Sequence, residues 1–287
     1  MRIAGAPISW GVCEVPGWGH QLEASLVLSQ MRDLGLRATE LGPLGFLPEE
    51  PAAKAELLAS FGLTAVAEFV PVVLHDPAVD PVPVLDTALD GLLAAGAGVV
   101  VLAAATGTVG YDRRPTLDEA GWRRVSASLD ALAQRAAERG VLATLHPHVG
   151  TVVETAEDID RVLTTSQVSL CLDTGHALIG GADPVALAQD AVDRIRHVHL
   201  KDVNRDWAER VRAGEVAYGE AVARGLYRPL GDGHVDIAAI VTSLEGTGYD
   251  GWYVLEQDTV LVGEPTPPGP AADVSRCLDY LRACSRR

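Results

Sequence analysis

Two hydrophobic rhythms take turns along this chain. Short, nearly continuous apolar runs recur at residues 3–8, 38–41, 64–70, 99–104, 141–145, 168–172, 197–200 and 252–255. Runs of that length and composition predict strands buried on both faces. Between them, apolar residues fall at helical spacing over 21–34, 48–61, 82–95, 117–139, 156–163, 184–192 and 271–284, with a further helix starting near Asp236. Gly35, Gly62 and Gly140 close three of these helices, as a glycine just past the last turn does. Thr155 with Asp158 reads as a loose form of the capping box. Strand then helix, eight times over, predicts a single (β/α)₈ TIM barrel across residues 1–287. An open doubly wound sheet is the alternative. Gly5, Gly11, Gly17 and Gly19 lack dinucleotide-binding spacing, however, and there is no phosphate loop.

Three stretches depart from the rhythm. Residues 203–235 form a largely helical insertion after strand seven, longer than an ordinary connection, and are expected to cover the site or to face solvent or another subunit. Residues 91–111 are uncharged, yet Gly96 and Gly98 interrupt them; a helix end, a turn and a buried strand account for them better than a membrane span. Residues 264–270 read as a Pro- and Gly-rich surface loop.

Charge narrows the partners. Lys and Arg number 23 against 39 Asp and Glu, a formal charge of -16. Such a chain repels phosphate backbones, and no basic cluster offsets this, so nucleic acid is not an expected partner. Cys13, Cys171, Cys277 and Cys284 show no CxxC spacing. Cys277 and Cys284 lie about 10 Å apart along a helix, too far for a disulfide. Reduced thiols, no signal-peptide pattern and no membrane segment together predict a soluble cytoplasmic protein.

The chemistry gathers where strands end. Asp173, His199 and Glu256 are each the first polar residue after an apolar strand, on strands six, seven and eight. Parallel barrel strands aim their C-terminal ends at one face, so the three side chains can converge there. Two carboxylates and an imidazole suit Mn²⁺, Co²⁺, Fe²⁺, Mg²⁺ or Zn²⁺. The fifth strand runs into His146-Pro-His148. A metal-dependent enzyme is therefore the leading expectation.

These residues carry a resemblance. Leu-Asp-Thr-Gly-His at 172–176, His-Val-His-Leu-Lys-Asp at 197–202 and the strand ending in Leu255-Glu256 resemble the xylose-isomerase-like TIM-barrel superfamily of sugar isomerases, epimerases, inosose dehydratases and an apurinic endonuclease. Ala6-Pro-Ile-Ser-Trp-Gly11, the Ala-Thr-Glu-Leu-Gly of 38–42, His146-Pro-His-Val-Gly-Thr151 and Pro229-Leu-Gly-Asp-Gly233 are most similar to the inosose dehydratases. The resemblance implies metal ligands at Asp173, His199 and Glu256. Its usual fourth ligand, a Glu at the end of strand five, is replaced here by His146, with His148 and Glu154 as the other candidates. It also implies substrate contacts at Glu40 and His176. Trp10 offers a flat wall to a ring, His148 and Lys201 further substrate contacts, and Lys201 and Asp202 stand to orient His199.

The implied activity is a lyase that dehydrates a cyclic keto-polyol of the 2-keto-myo-inositol type through an enediolate, with Mn²⁺ or Co²⁺ first among the metals. Glu256 or Glu154 would take the α-proton; His176 or His148 would protonate the departing hydroxyl. An isomerase, an epimerase or a β-eliminase of 3-keto-glycosides would use the same first step. A phosphodiesterase conflicts with the acidic charge. A sugar-binding barrel without catalysis conflicts with the retained strand-end ligands. The expected partner is a small sugar or cyclitol, with a homo-oligomer expected from the family alone.

Overall fold

The computed structural model describes residues 1–266 and 269–284. In chain order the strands are β1 (Arg2–Gly5), β2 (Ala38–Thr39), β3 (Thr64–Ala65), β4 (Ala67–Val73), β5 (Val99–Ala105), β6 (Leu142–Leu145), β7 (Ser169–Asp173), β8 (Ile195–Leu200), β9 (Asp202–Val203), β10 (Tyr227–Arg228) and β11 (Trp252–Leu255). The helices are α1 (Ala24–Asp33), α2 (Pro51–Ser60), α3 (Val82–Ala94), α4 (Glu119–Glu138), α5 (Ala156–Thr165), α6 (Thr174–Ile179), α7 (Pro184–Asp190), α8 (Arg205–Arg212), α9 (Tyr218–Ala223), α10 (Ile237–Gly246) and α11 (Pro270–Cys284).

Nine strands run in the order β3-β2-β1-β11-β8-β7-β6-β5-β4, with parallel pairing throughout. The two edges of that sheet are one stretch of chain. β3 and β4 are a single strand interrupted at Val66, whose N–H donates to the Thr39 carbonyl; the Leu41 N–H donates to Ala67. The sheet thus closes into the eight-stranded barrel that the sequence predicts.

Closure is low on this side. Beyond Ala67, β4 continues to Val73 and pairs only with β5. Pro71 belongs on such an edge. The Ala67 carbonyl faces β2, and Pro71, four residues on, faces the same way by the two-residue period of a strand. Its missing N–H therefore costs no rung.

Small residues fill the barrel interior beneath the mouth: Ala4, Ala6, Ala38, Ala67, Val101 and Cys171. The larger apolar layer lies between strands and helices, where Leu28, Met31, Leu85 and Leu89 are fully buried. Each contributes about 1.5–3 kcal/mol by leaving water. The uncharged 91–111 stretch resolves into the end of α3, a turn at Gly96 (φ 72°) and β5. Among the described residues no helix is long and apolar enough to cross a membrane.

One local expectation needs correction. The first strand stops at Gly5 rather than running to residue 8, because Pro7 opens a 3₁₀ turn (Pro7–Trp10) that Gly11 ends at φ 81°. The Asp-Thr-Gly-His motif begins a helix, α6, which the hydrophobic pattern does not announce. Within the expected loop 264–270, residues 267 and 268 lie outside the described residues. The 203–235 insertion folds as the β9–β10 hairpin pair with α8 and α9 between its strands.

Candidate active site

Four strand ends converge. His146 follows β6, Asp173 ends β7, His199 lies on β8 and Glu256 follows β11. β11, β8, β7 and β6 are consecutive neighbours in the sheet, so their last residues meet at one mouth. His146 Nε2 stands 3.1 Å from Asp173 Oδ2 and 3.2 Å from His199 Nδ1. His199 Nδ1 is 3.6 Å from Asp173 Oδ2 and 2.9 Å from Glu256 Oε2. All four ligand atoms fall within 4.8 Å of one another.

The set fits a divalent ion. Ligands about 2.1 Å from a tetrahedral centre stand about 3.4 Å apart, close to the spacing seen. Local hydrogen bonds turn donor atoms of Asp173 and His199 inward. Asp173 spends Oδ1 on the Gly175 and His176 N–H groups, capping α6, and keeps Oδ2 for the centre. His199 Nε2 meets Glu40 Oε1 at 3.0 Å, so its proton sits there and the Nδ1 lone pair faces the cluster. The remaining nitrogen of His146, Nδ1, is buried with no hydrogen-bond partner.

A second layer is built on Lys201. Its ammonium lies 2.9 Å from Glu256 Oε2, 2.5 Å from Asp258 Oδ1, 3.4 Å from Asp173 Oδ2 and 3.1 Å from His176 Nε2. Burial disfavours this charge, but Asp173, Asp258 and Glu256 around it raise its pKa well above the ordinary lysine value. Gly175 makes the arrangement possible: a Cβ there would stand 2.6 Å from Lys201 Cβ. The Thr174 hydroxyl bonds the Lys201 backbone on both sides, through its N–H and its carbonyl.

The insertion packs behind Asp258. Tyr218 on α9 donates its hydroxyl to Asp258 Oδ2 at 2.5 Å and lies 2.8 Å from the Tyr227 hydroxyl. Trp18 leans on Tyr218 at 6.1 Å between ring centres. Tyr111 covers His148 at 4.4 Å and donates its hydroxyl to Glu14. A cavity of about 980 Å³ opens beside the cluster, and its lining includes Trp18, Tyr111, Glu40, His146, His148, Lys201, Glu256 and Asp258.

Several expected roles change. Glu154 is neither ligand nor neighbour of the cluster: its carboxylate accepts from the Gly150 N–H at 2.9 Å and faces Arg114 at 3.7 Å, because the 148–153 turn carries it away from the mouth. Trp10 is fully buried, with its indole N–H on Gln30 at 2.7 Å, so it serves packing rather than a substrate ring. Glu40 reaches the cavity wall, yet its Oε1 is shared by His197 (2.7 Å) and His199 (3.0 Å), which makes it a brace for the ligand. Asp202 does not orient His199; it accepts N–H groups from Gly231, Gly233 and Val235 and so holds the 229–235 loop.

His176 and His148 are both beside the cluster, with ring centres 3.7 Å apart, but neither is placed as an acid. Burial, the neighbouring imidazole and Lys201 hold His176 well below its ordinary pKa, and Lys201 donates to its Nε2. His148 gives its Nδ1 proton to the Val149 carbonyl at 2.7 Å, which leaves Nε2 as an acceptor. Burial and His146 keep that ring neutral.

Sequence reasoning missed Asp258, Tyr218 and Tyr227. For Asp258 a signal existed: it stands two residues after Glu256, the spacing that puts extended side chains on one face. The tyrosines carried no such signal, since the fold of the insertion alone brings them in.

Known proteins share the fold and sequence of this chain. Residues 28–284 match the family model described as xylose isomerase-like TIM barrel. The inosose dehydratase of Geobacillus kaustophilus (strain HTA426) is 34% identical over 303 aligned positions, covering 100% of this chain and 98% of that protein. The rhizopine catabolism protein MocC of Rhizobium meliloti is 37% identical over 272, covering 90% and 82%. Among solved structures, the IolI protein with a bound zinc atom superposes with a TM-score of 0.73 at 16% identity, covering 99% and 98%.

Proposed function

The chain belongs to the xylose isomerase-like TIM barrel family, and on that premise we propose that it is a metal-dependent lyase removing water from a cyclic keto-polyol of the 2-keto-myo-inositol type. The convergence of His146, Asp173, His199 and Glu256 within 4.8 Å carries this reading. The full-length match to proteins named inosose dehydratase supports its reaction.

Those four residues would hold a divalent ion, which would supply Lewis acidity; Mn²⁺ or Co²⁺ would suit the nitrogen and oxygen set, ahead of Mg²⁺, Fe²⁺ or Zn²⁺. Glu256 takes the proton from the carbon beside the ketone, since it is the cluster carboxylate that borders the cavity. The Lys201 ammonium, 2.9 Å from it, stabilises negative charge developing on the substrate. His148 Nε2 accepts a substrate hydroxyl and fixes the ring.

The Lys201 ammonium, which also borders the cavity, protonates the departing hydroxyl. Asp258 accepts from Lys201 and from the Tyr218 hydroxyl and so holds that donor in place. Lys201 regains its proton from Glu256, 2.9 Å away. The free thiols support a reducing, cytoplasmic setting, and a homo-oligomer belongs to the same reading by family analogy.

A proton NMR time course tests this. Mn²⁺-loaded protein is mixed with 2-keto-myo-inositol in D₂O, and the metal is chelated before spectra are taken. A dehydrated diketone is the expected product. Deuterium at the α-carbon without loss of water would make the protein an isomerase or epimerase instead, and an unchanged spectrum would overturn the substrate.

A further inference from the structure

The cavity does not end at the metal-ligand cluster. Because β2 leaves the sheet while β4 runs on to Val73, the barrel wall is open between them above Ala67. The 980 Å³ cavity continues through this gap into a groove under α2 and α3, where Lys54, Glu68 and Gly91 line it. Lys54 is 9% exposed and Glu68 8%. Glu68 Oε2 is buried and makes no hydrogen bond. A carboxylate oxygen in that condition is costly, and a ligand group would satisfy it.

Gly91 adds an independent sign. It lies inside α3, where glycine weakens a helix. A Cβ at that position would meet only Lys54 Nζ, at 3.4 Å, and Glu68 Oε2, at 3.8 Å. The glycine leaves room in front of these two groups.

The span sets the size of the occupant. Glu68 pairs with Val100, and Val100 with Ala143. His146 stands two strands across from Glu68, about 10 Å, and three residues beyond Ala143, about 10 Å along the strand, so roughly 14 Å separates the two positions. One six-membered ring does not cover that distance; two linked rings do. Between the ends the lining is apolar, with Leu41, Leu47, Val70 and Val84, a surface that suits the C–H face of a sugar ring. A hydroxyl both donates and accepts, so a vicinal diol answers Glu68 and Lys54 together.

We propose that the preferred substrate is a keto-polyol bearing a second, hydroxylated ring, a keto-cyclitol glycoside, whose outer ring passes through the β2–β4 gap and binds Lys54 and Glu68. The inner ring rests on the function proposed above; the outer subsite does not depend on it.

Calorimetric binding to the Mn²⁺-loaded protein tests it with unreactive alcohols: myo-inositol against galactinol and a set of mono-O-glucosyl inositols. At least one glycoside is expected to bind tenfold or more tightly than myo-inositol. Lys54→Met and Glu68→Gln should bring that ratio back towards one, and Gly91→Ala, which cannot harm a helix, should lower it by crowding. Glycosides no tighter than myo-inositol in the wild-type protein would overturn the proposal. Turnover of 2-keto-myo-inositol is scored separately. Turnover without glycoside preference keeps the dehydratase and removes the subsite; preference without turnover does the reverse.

Discussion

The two sides of this barrel finish differently. β6, β7, β8 and β11 each run into a residue of the His146–Asp173–His199–Glu256 cluster, and their pairing continues up to it: Asp173 pairs with His199, and the Glu256 N–H still bonds the Leu200 carbonyl. β2 and β4 part above Ala67 and present apolar walls, a proline edge and one unsatisfied carboxylate. Tight pairing fixes the donor atoms where chemistry needs them. Loose pairing leaves volume where a substrate needs room.

The contrast can be broken most severely at Asp173. Asp173→Ala removes a ligand and the cap of α6 together; metal content by elemental analysis should fall to background, and activity by a thousandfold or more on the order expected for loss of a catalytic ion. Activity persisting without metal would dissolve the distinction between the sides. Asp258→Asn separates proton delivery from metal: kcat should fall about 10²–10⁴-fold while metal content holds.

On the loose side, burial pushes the Glu68 carboxyl up to about 7 against the pull of Lys54. A raised carboxyl favours the fold only while protonated. Its contribution is complete below the unfolded value near 4.5 and is lost as pH rises through 7. Glu68→Gln should therefore stabilise the protein at pH 8, by up to about 3 kcal/mol, and not at pH 4; thermal melts at both pH values check it. Least of all, Glu154→Gln should change kcat by less than about threefold, since its carboxylate serves a turn outside the cavity.

The same division governs what could be read in advance. All eight strands and the four cluster residues were legible because an apolar run that stops at a polar residue marks both the strand and its exposed end. Glu154 and Trp10 misled because nearness in sequence does not say which way a turn throws a side chain. α6 was hidden because its residues carry ligand chemistry rather than a helical stripe. Tyr218 and Tyr227 depend on the path of a long insertion, and the β2–β4 gap on which rungs close a ring; both are long-range facts without a local pattern.

The low fastening of the ring between β2 and β4 has an evolutionary corollary. The parts of the chain that border the gap, residues 41–54 and 83–91, are separate in sequence from all four strands that carry the donor atoms. Substitutions and insertions there can reshape the room for a new compound without shifting a ligand. Descendants of such a barrel can thus diversify in diet while inheriting one reaction unchanged.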